Sequence, residues 1–332
     1  MKFNIFTLYP QLFESFFSTS LIARGLNQNI LSTEFINWRE KYGAGNHKQL
    51  DDRAFGGGSG MVLQPDPILQ ALADKQSISR FFSPPDYPTE HKKILPNNIR
   101  FYKAWLRESG LLSQLAAQTG LHKQKRSTKD NHPKRVTISL TPRGFPFTQH
   151  VAEWLATFDE ISLLCGRFEG FDVRVDEAVD VELSLGNFVL NGGEVAAMAV
   201  IESVSRLLPG FVEKSDSIAH DSFSSSLNIY QEQAEFSKIT QPKQIQKHKK
   251  DVEVFTSIEQ LEQHLVDDIF PLDNWLTHIL PQIEHPQYTR PEVWKNWAIP
   301  AVLKSGDHKR IQTWRVNWYS DEELEFEKSI KS

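Results

Sequence analysis

The chain has 332 residues, of which 39% are hydrophobic and 24% charged, values typical of a globular protein with room for two cores. Its formal net charge of -5 excludes a protein that coats nucleic acid by bulk charge, although local basic patches remain compatible with it. Cys165 is the single cysteine, which excludes an internal disulfide and a CxxC site. Because no apolar run reaches the roughly 20 residues of a membrane span and no secretion signal is evident, we expect a soluble, cytoplasmic protein with no membrane partner.

The N-terminal part has alternating β and α patterns. "FNIFTL" predicts a buried strand, apolar residues at helical spacing over 12–21 predict a helix, and "STEFINW" predicts a second strand. "DDRAFGGGSGM" then places four glycines in five positions, and a helix is predicted over 68–73. From about 75 to 134 the sequence turns polar and proline-bearing, with one short helix predicted over 101–118, which indicates an insertion.

The α/β pattern resumes after this insertion. "RVTISL", "ISLLCG" and "VDVELSLG" predict strands, while "TQHVAEWLATF" and "GGEVAAMAVIESVSRLL" predict helices. Continuous apolar strands that alternate with helices indicate an α/β domain with a mostly parallel sheet. A polar, serine-rich stretch over 212–227 predicts a linker. The remainder, 228–332, has a lysine-rich insertion over about 228–282 and a tryptophan-bearing tail, and it predicts a small helical domain.

Three loops at predicted strand ends are the candidate binding sites. "LTPRGFPF", "CGRFEGFDVRV" and "SLGNFVLNGGE" each follow a strand, and ligands of open α/β sheets bind beyond the carboxyl ends of strands. Neither these loops nor the glycine run matches GxGxxG or GxxxxGK, so the spacing does not indicate a phosphate site. A site built mainly from backbone amides and carbonyls, which glycines allow a ligand to approach closely, favours a neutral, adenosine-like ligand. The 11 histidines show no metal-ligand spacing, and no metal site is predicted.

These motifs, together with "HDSF" and "HPQYTRPEVW", resemble in content and order those of the bacterial tRNA (guanine-N1)-methyltransferases, a family of the trefoil-knotted SPOUT class. The resemblance covers most of residues 1–73, 135–223 and 284–315. It implies an α/β domain over 1–211 with helices on both faces of the sheet and a deep C-terminal trefoil knot, and an all-helical tRNA-binding domain over 228–332. It also implies a homodimer with its active site at the interface, which uses S-adenosylmethionine to methylate N1 of guanosine at position 37, next to the anticodon.

By position, the resemblance distributes the ligands over the loops. The residues implied to bind S-adenosylmethionine are Leu140, Thr141, Pro142, Gly166, Phe168, Glu169, Leu185, Gly186, Asn187, Phe188, Val189, Leu190, Gly192 and Gly193. The residues expected to contact the RNA are Gly58, Ser59 and Gly60 at the target guanine, together with Glu284, His308, Lys309, Arg310 and Arg315. Participation of a divalent cation stays open. Ser139, Arg143 and Asn191 depart from residues common in the family, which leaves fine cofactor contacts open.

Guanine chemistry selects two further residues. Because guanine N1 carries a proton at neutral pH, methylation requires a base and a cation or donor for the charge on O6. The resemblance assigns Asp221 as general base and Arg206 as the O6 stabiliser that also orients it. From the residues alone, Asp221 also fits a helix N-cap and Arg206 a surface arginine near a helix C-terminus.

Other interpretations remain. The chain fits a knotted-class methyltransferase acting on another RNA site, or a non-catalytic RNA-binding relative. Cys165 is interpreted as a buried residue rather than a nucleophile, and Phe168 is a candidate stacking face for a flipped base. Lysine-rich stretches over 122–135 and 238–250 fit either solvated loops or additional tRNA contacts.

Overall fold

The computed structural model describes residues 1–75, 77, 133–212, 285–294 and 297–317. The predicted linker, most of both insertions and the helix predicted over 101–118 lie outside the described residues. The N-terminal elements are β1 (Lys2–Phe6), a 3-10 helix (Pro10–Phe13), α1 (Glu14–Ser18), α2 (Ser20–Asn27), β2 (Ser32–Ile36), α3 (Trp38–Tyr42), β3 (Asp51–Asp52), β4 (Val62–Leu63) and α4 (Pro65–Asp74).

The remaining elements lie on either side of the second gap. After residue 132 come β5 (Arg135–Pro146), α5 (Gln149–Leu155), β6 (Glu160–Cys165), a 3-10 helix (Val173–Ala178), β7 (Val181–Ser184) and α6 (Glu194–Ser205). The C-terminal elements are β8 (Val293–Trp294), β9 (Trp297–Ala298), a 3-10 helix (Ala301–Lys304) and α7 (His308–Asn317).

Five strands form the central sheet in the order β2-β1-β6-β5-β7, and every neighbouring pair is parallel. The prediction of a mostly parallel sheet is therefore confirmed. The carboxyl ends of β5, β6 and β7 lie side by side at one edge, so the three candidate loops leave the sheet at neighbouring places.

Helices cover both faces of this sheet. On β1, Phe3 and Ile5 enter an apolar cluster with α2, α5 and α6, whereas Phe6 enters a second cluster with α3 and α4. This alternation follows from the two-residue side-chain period of a strand. Burying each large apolar side chain stabilises the fold by roughly 1.5–3 kcal/mol relative to leaving it exposed.

Two predicted elements differ from the structure. The helix predicted over 12–21 is split, because Thr19 is extended with φ -126° and Ser20 has a positive φ of 57°. The tail is not all helical where it is described, since β8 and β9 pair in an antiparallel ribbon. Valine and tryptophan favour strands, and the flanking Pro291 and Pro300 resist incorporation into a helix interior.

Candidate active site

The first strand-end loop is a bulge within β5. The pairing of β5 with β7 shifts register between Leu140 and Phe145, so residues 141–144 leave the ladder at the carboxyl end of the sheet. Gly144 lies so close to β7 that an added Cβ would be 2.4 Å from the carbonyl carbon of Leu183. The strand is longer than the predicted "RVTISL", and the predicted cofactor residues Thr141 and Pro142 lie in the bulge.

The second and third loops are bonded directly to each other. The N–H of Gly193 donates to the carbonyl of Gly166 at 3.0 Å, and Arg167 and Gly192 form an antiparallel bridge. A Cβ on Gly193 would be 2.7 Å from Cα of Cys165, so the chain of the third loop passes directly over the end of β6. The structure thus brings the three predicted loops together at one edge.

An ion pair that sequence reasoning did not single out fixes this junction. Glu194, the first residue of α6 and only 1% exposed, pairs with Arg167 at 3.0 Å and accepts from Thr7 Oγ1 at 2.8 Å. Arg167 also donates to the carbonyl of Asn191 at 3.3 Å, and its guanidinium lies 4.7 Å from the ring centroid of Tyr9. The sequence carried one signal for Glu194, which is an acidic residue directly after two glycines at the start of a helix. Acidic residues are favourable at that position because of the helix dipole.

The outer parts of the second and third loops present apolar side chains to solvent. Phe168 is 50% exposed and Phe188 54% exposed, and Val189 and Leu190 are exposed beside them. Phe168 also has a positive φ of 60°, a conformation that is unfavourable for residues other than glycine. Such strain is concentrated at functional sites, which makes Phe168 a candidate ligand contact.

Cys165 lies beneath these loops at the end of β6. It is fully buried, and burial raises the pKa of the Cys165 thiol well above its ordinary value, with the nearby charge of Glu194 acting in the same direction. The thiol therefore stays neutral, and the prediction that Cys165 is a buried residue is confirmed.

Arg143 links the first loop to charged residues behind it. Its Nη2 lies 3.0 Å from Oδ2 of Asp176, on the 3-10 helix Val173–Ala178, and 3.7 Å from Oε1 of Glu182 on β7. All three side chains are largely buried. Arg143 is thus accommodated by two carboxylates, and it makes the loop part of an ionic cluster.

The glycine loop, residues 53–61 between β3 and β4, lies beside the second strand-end loop. The N–H of Glu169 donates to the carbonyl of Met61 at 3.0 Å, and the N–H of Leu63 donates to Gly170 at 2.9 Å. Gly60 is so close to Glu169 that an added Cβ would overlap its carboxylate. Four residues of this loop have a positive φ that favours glycine, namely Gly56, Gly57, Gly58 and Gly60.

The C-terminal segment, residues 285–317, packs against the same loop. Ile311 and Trp314 of α7 are buried in a cluster that includes Val173 of the sheet domain. The opposite face of α7 exposes His308 and Lys309, while Arg310 is half-buried and Arg315 donates to the carbonyl of Gly57 at 2.5 Å. Four of the eight predicted RNA contacts are therefore on one helix next to the glycine loop.

A buried ion pair joins this segment to the second strand-end loop. Asp172 and Arg174 are both fully buried and meet at 2.8 Å. Arg174 also donates to the carbonyls of Thr289 and Pro291 at 2.7 and 2.9 Å, and the N–H of Thr289 donates to Asp172 at 2.7 Å. Sequence reasoning did not select this pair, because the backbone groups that it holds are more than a hundred residues further along the chain.

The predicted catalytic residues are only partly described. Arg206 follows α6 directly and is exposed, whereas Asp221 and Glu284 lie outside the described residues. A helix of 12 residues is about 18 Å long, so Arg206 lies roughly that far from the Gly193 end of α6. Within one copy of the chain, Arg206 and the three loops are therefore at opposite ends of the same helix.

Neither a metal cluster nor a membrane span was found in the part of the chain that the structure describes. Its residues contain no group of three or more His, Cys, Asp and Glu side chains placed to hold a metal ion. None of the helices in the described ranges combines the length and the apolar composition that crossing a bilayer requires.

Parallel strands with adjoining carboxyl-end loops are typical of an α/β ligand-binding protein. The neighbouring basic helix adds a feature of RNA-binding proteins. The family model "tRNA (Guanine-1)-methyltransferase TrmD" matches residues 1–83, 116–267 and 262–324. The chain therefore belongs to the tRNA (guanine-1)-methyltransferase family, and it is a methyltransferase. The resemblance seen in the sequence motifs is confirmed.

Individual relatives agree with this assignment. A tRNA (guanine-N(1)-)-methyltransferase of Dehalococcoides mccartyi is 30% identical over 316 residues, which cover 95% of this chain and 84% of the relative. One of Oleidesulfovibrio alaskensis is 29% identical, and there the chain spans 48% of the relative's length. Among solved structures, the tRNA (m1G37) methyltransferase from Aquifex aeolicus aligns with 99% of this chain at 21% identity and a TM-score of 0.43.

Proposed function

We propose that this enzyme transfers the methyl group of S-adenosylmethionine to N1 of guanosine at position 37 of tRNA, next to the anticodon. The observation that supports this most strongly is the meeting of the three strand-end loops at one edge of a parallel sheet, in a member of the tRNA (guanine-1)-methyltransferase family. The same family membership supports a cytoplasmic site of action on tRNA.

The loops fit S-adenosylmethionine, which supplies an electrophilic methyl group when bound. The exposed rings of Phe168 and Phe188 offer apolar surface for a flat adenine. The Arg167–Glu194 pair fixes the second loop against the third before any ligand arrives. These loops would hold the donor through the fourteen residues that the resemblance implies.

The chain must also take a proton from guanine N1. We assign Asp221 as the base that accepts it and Arg206 as the group that stabilises the charge developing on O6. Because Arg206 is about 18 Å along α6 from the cofactor loops of its own chain, we place it at the loops of a second copy. The active site would then be shared between the two subunits of a homodimer.

Exposed apolar residues support such a dimer. Val189 is 84% exposed on the third loop, and Val195 at the start of α6 and Leu12 nearby are also exposed. Exposed apolar side chains of this kind are typical of a protein interface when they form one patch. The third loop also returns from β7 past the end of β5 to reach β6, a path compatible with the deep trefoil knot of the SPOUT class.

The target guanine would bind beside the glycine loop, near the place where this loop contacts the second strand-end loop. Gly58, Ser59 and Gly60 form one wall, and Glu169 lies across from Gly60. Helix α7 would bind RNA phosphates through His308, Lys309 and Arg310. We retain the division into a methyltransferase domain over 1–211, a linker over 212–227 and a tRNA-binding domain over 228–332, with Glu284 near the substrate.

Methyl transfer to matched transcripts tests this function. Wild-type protein and Asp221→Asn are incubated with labelled S-adenosylmethionine and two tRNA transcripts that differ only in guanosine or adenosine at position 37. We expect the wild type to label the guanosine transcript alone. Removal of a general base lowers the rate by roughly 10²–10⁴-fold, which is the effect expected for Asp221→Asn.

Three results would contradict the proposal. Equal labelling of both transcripts would indicate another RNA site, and full activity of Asp221→Asn would remove the assigned base. A wild type that binds tRNA and labels neither transcript would indicate a non-catalytic relative.

A further inference from the structure

The glycine loop has few side chains with which to hold its own shape, and the C-terminal segment supplies what is missing. The N–H of Phe55 donates to the carbonyl of Tyr288 at 2.8 Å, and Thr289 Oγ1 donates to the carbonyl of Arg53 at 3.0 Å. Both contacts hold the base of the loop. They leave its tip, which includes Gly57, to be held in another way.

Arg315 makes the contact at the tip. Its Nη2 donates to the carbonyl of Gly57 at 2.5 Å and lies 3.4 Å from the position that a Cβ on Gly56 would take. Gly57 itself has nothing within 4 Å of an added Cβ, so side-chain packing does not restrain this residue. A hydrogen bond from a cation to a carbonyl is stronger than one between neutral groups, so this contact favours one conformation of the loop tip.

The environment of Arg315 suits this role better than contact with a phosphate. The neighbouring Ile311 and Trp314 are buried in the cluster with Val173, which fixes the last turns of α7 against the sheet domain. The Nε of Arg315 is buried, whereas Lys309 on the same helix is exposed. Arg315 as a whole is half-buried and already bonded to Gly57, so on this helix Lys309 is the more accessible cation for a phosphate.

We propose that Arg315 is a positioning residue, which holds the Gly57 carbonyl so that the glycine loop forms a preshaped wall for the target guanine. This inference rests on the proposed function, because it assumes that the guanine lies against this loop. It departs from the expectation that Arg315 contacts a phosphate. It also means that the position of helix α7 determines the conformation of the glycine loop.

The test compares Arg315→Lys and Arg315→Gln with Lys309→Gln in the full chain. Arg315→Lys keeps the charge but loses the planar fork that reaches the carbonyl. We measure kcat and KM for methyl transfer, tRNA affinity as a function of salt, and hydrogen exchange of the peptide 51–61. For both Arg315 variants we expect kcat to fall by up to roughly 10²-fold, as for a misplaced substrate. We also expect faster exchange in the loop, with the tRNA affinity and salt slope of Arg315→Lys unchanged.

Lys309→Gln provides the contrast. It should weaken tRNA binding and reduce the salt slope by about one, while exchange in the glycine loop stays as in the wild type. Arg315 variants that behave like Lys309→Gln, or an Arg315→Lys with wild-type kcat, would overturn the inference. If the wild type transfers no methyl group, the proposed function has failed, and loop exchange alone then decides: unchanged exchange overturns the positioning role and faster exchange supports it.

Discussion

Two loop systems meet at the candidate active site, and they are held in different ways. The three strand-end loops, which we propose to bind the donor and call the cofactor loops, are held by the strands that adjoin them, through contacts such as Gly193 to Gly166 and the close approach of Gly144 to β7. The glycine loop is held by the C-terminal segment, where Arg315 binds Gly57 across 258 residues of sequence. The first system is part of the sheet, whereas the second depends on how a distant segment docks. The two systems also touch, since the N–H of Glu169 donates to the carbonyl of Met61 at 3.0 Å. Because their other supports differ, we expect a variant of one support to disturb mainly the system that it holds.

The largest effect is expected where the two systems are joined, at the buried Asp172–Arg174 pair. Arg174→Met leaves Asp172 charged and buried and removes the donor to the Thr289 and Pro291 carbonyls. Breaking a buried pair in this way costs about 3–5 kcal/mol, so we expect a loss of that size in the free energy of unfolding. Urea denaturation monitored by tryptophan fluorescence measures it.

Lys304→Met is the matched control on the surface of the same segment. Lys304 pairs with Glu292 at 3.1 Å, but both side chains are substantially exposed. The expected loss is below about 1 kcal/mol. Equal effects of Arg174→Met and Lys304→Met would show that the buried pair does not hold the segment.

A smaller loss of stability is expected when a side chain is added where the third strand-end loop contacts the end of β6. In Gly193→Ala the new Cβ would meet Cα of Cys165 at 2.7 Å, and backbone cannot move aside as a flexible side chain can. Overpacking of this kind costs about 1–3 kcal/mol. We expect a lower melting temperature, read by calorimetry, and displacement of the third loop.

Gly57→Ala separates steric closure from backbone strain. Its Cβ would meet nothing within 4 Å, although φ is 77°, so only the strain of about 1–2 kcal/mol for a left-handed residue applies. This variant should disturb the glycine loop and leave the cofactor loops as they are. If Gly57→Ala weakens S-adenosylmethionine binding as strongly as Gly193→Ala, the two systems are not independent.

The smallest effect is expected far from both systems, at Glu34 on the sheet edge. Hydrogen bonds from Lys2, and then from Lys75, lower the pKa of the Glu34 carboxyl. A lowered folded pKa stabilises the fold above the unfolded value of about 4.3, and this contribution is lost as pH falls through the folded value. Because Glu34 is partly exposed, Glu34→Gln should lose less than about 1 kcal/mol at pH 7.

A pH series checks the sign of this effect. The difference in unfolding free energy between wild type and Glu34→Gln should shrink as pH falls below about 4. Methyl transfer at pH 7 should be unaffected, because Glu34 is remote from both loop systems. A difference that grows on acidification would contradict the linkage.

Much of the sheet domain could be predicted from the sequence. The strands ending at Cys165 and Ser184 are rich in apolar residues, and parallel topology places their ends together, so the sequence predicts the positions of the three strand-end loops. The bulge in β5 was not predicted, because it depends on the approach of Gly144 to β7 rather than on local pattern. The role of Arg174 was missed for the same reason, since its partners are remote in sequence.

For the glycine loop, the sequence predicts close backbone contacts but not the segment that supports them. Its spacing excluded a phosphate cradle, and its positive φ values explain why the four glycines are needed. Which segment holds it could not be read from the residues around it. The tail was also predicted to be all helical, because its interleaved tryptophans and basic residues fit a helix. Val293 and Trp294 instead form a strand that pairs with β9.

The most direct test of the division between the two loop systems is the affinity for S-adenosylmethionine, measured by calorimetry on folded wild type, Gly193→Ala and Arg315→Gln. We expect the wild type and Arg315→Gln to bind with the same dissociation constant within about twofold, and Gly193→Ala to bind at least tenfold more weakly, a difference of about 1.4 kcal/mol. A wild type that does not bind the donor, or an Arg315→Gln that loses affinity as Gly193→Ala does, would contradict the assignment of the donor to the three strand-end loops and of the guanine to the glycine loop.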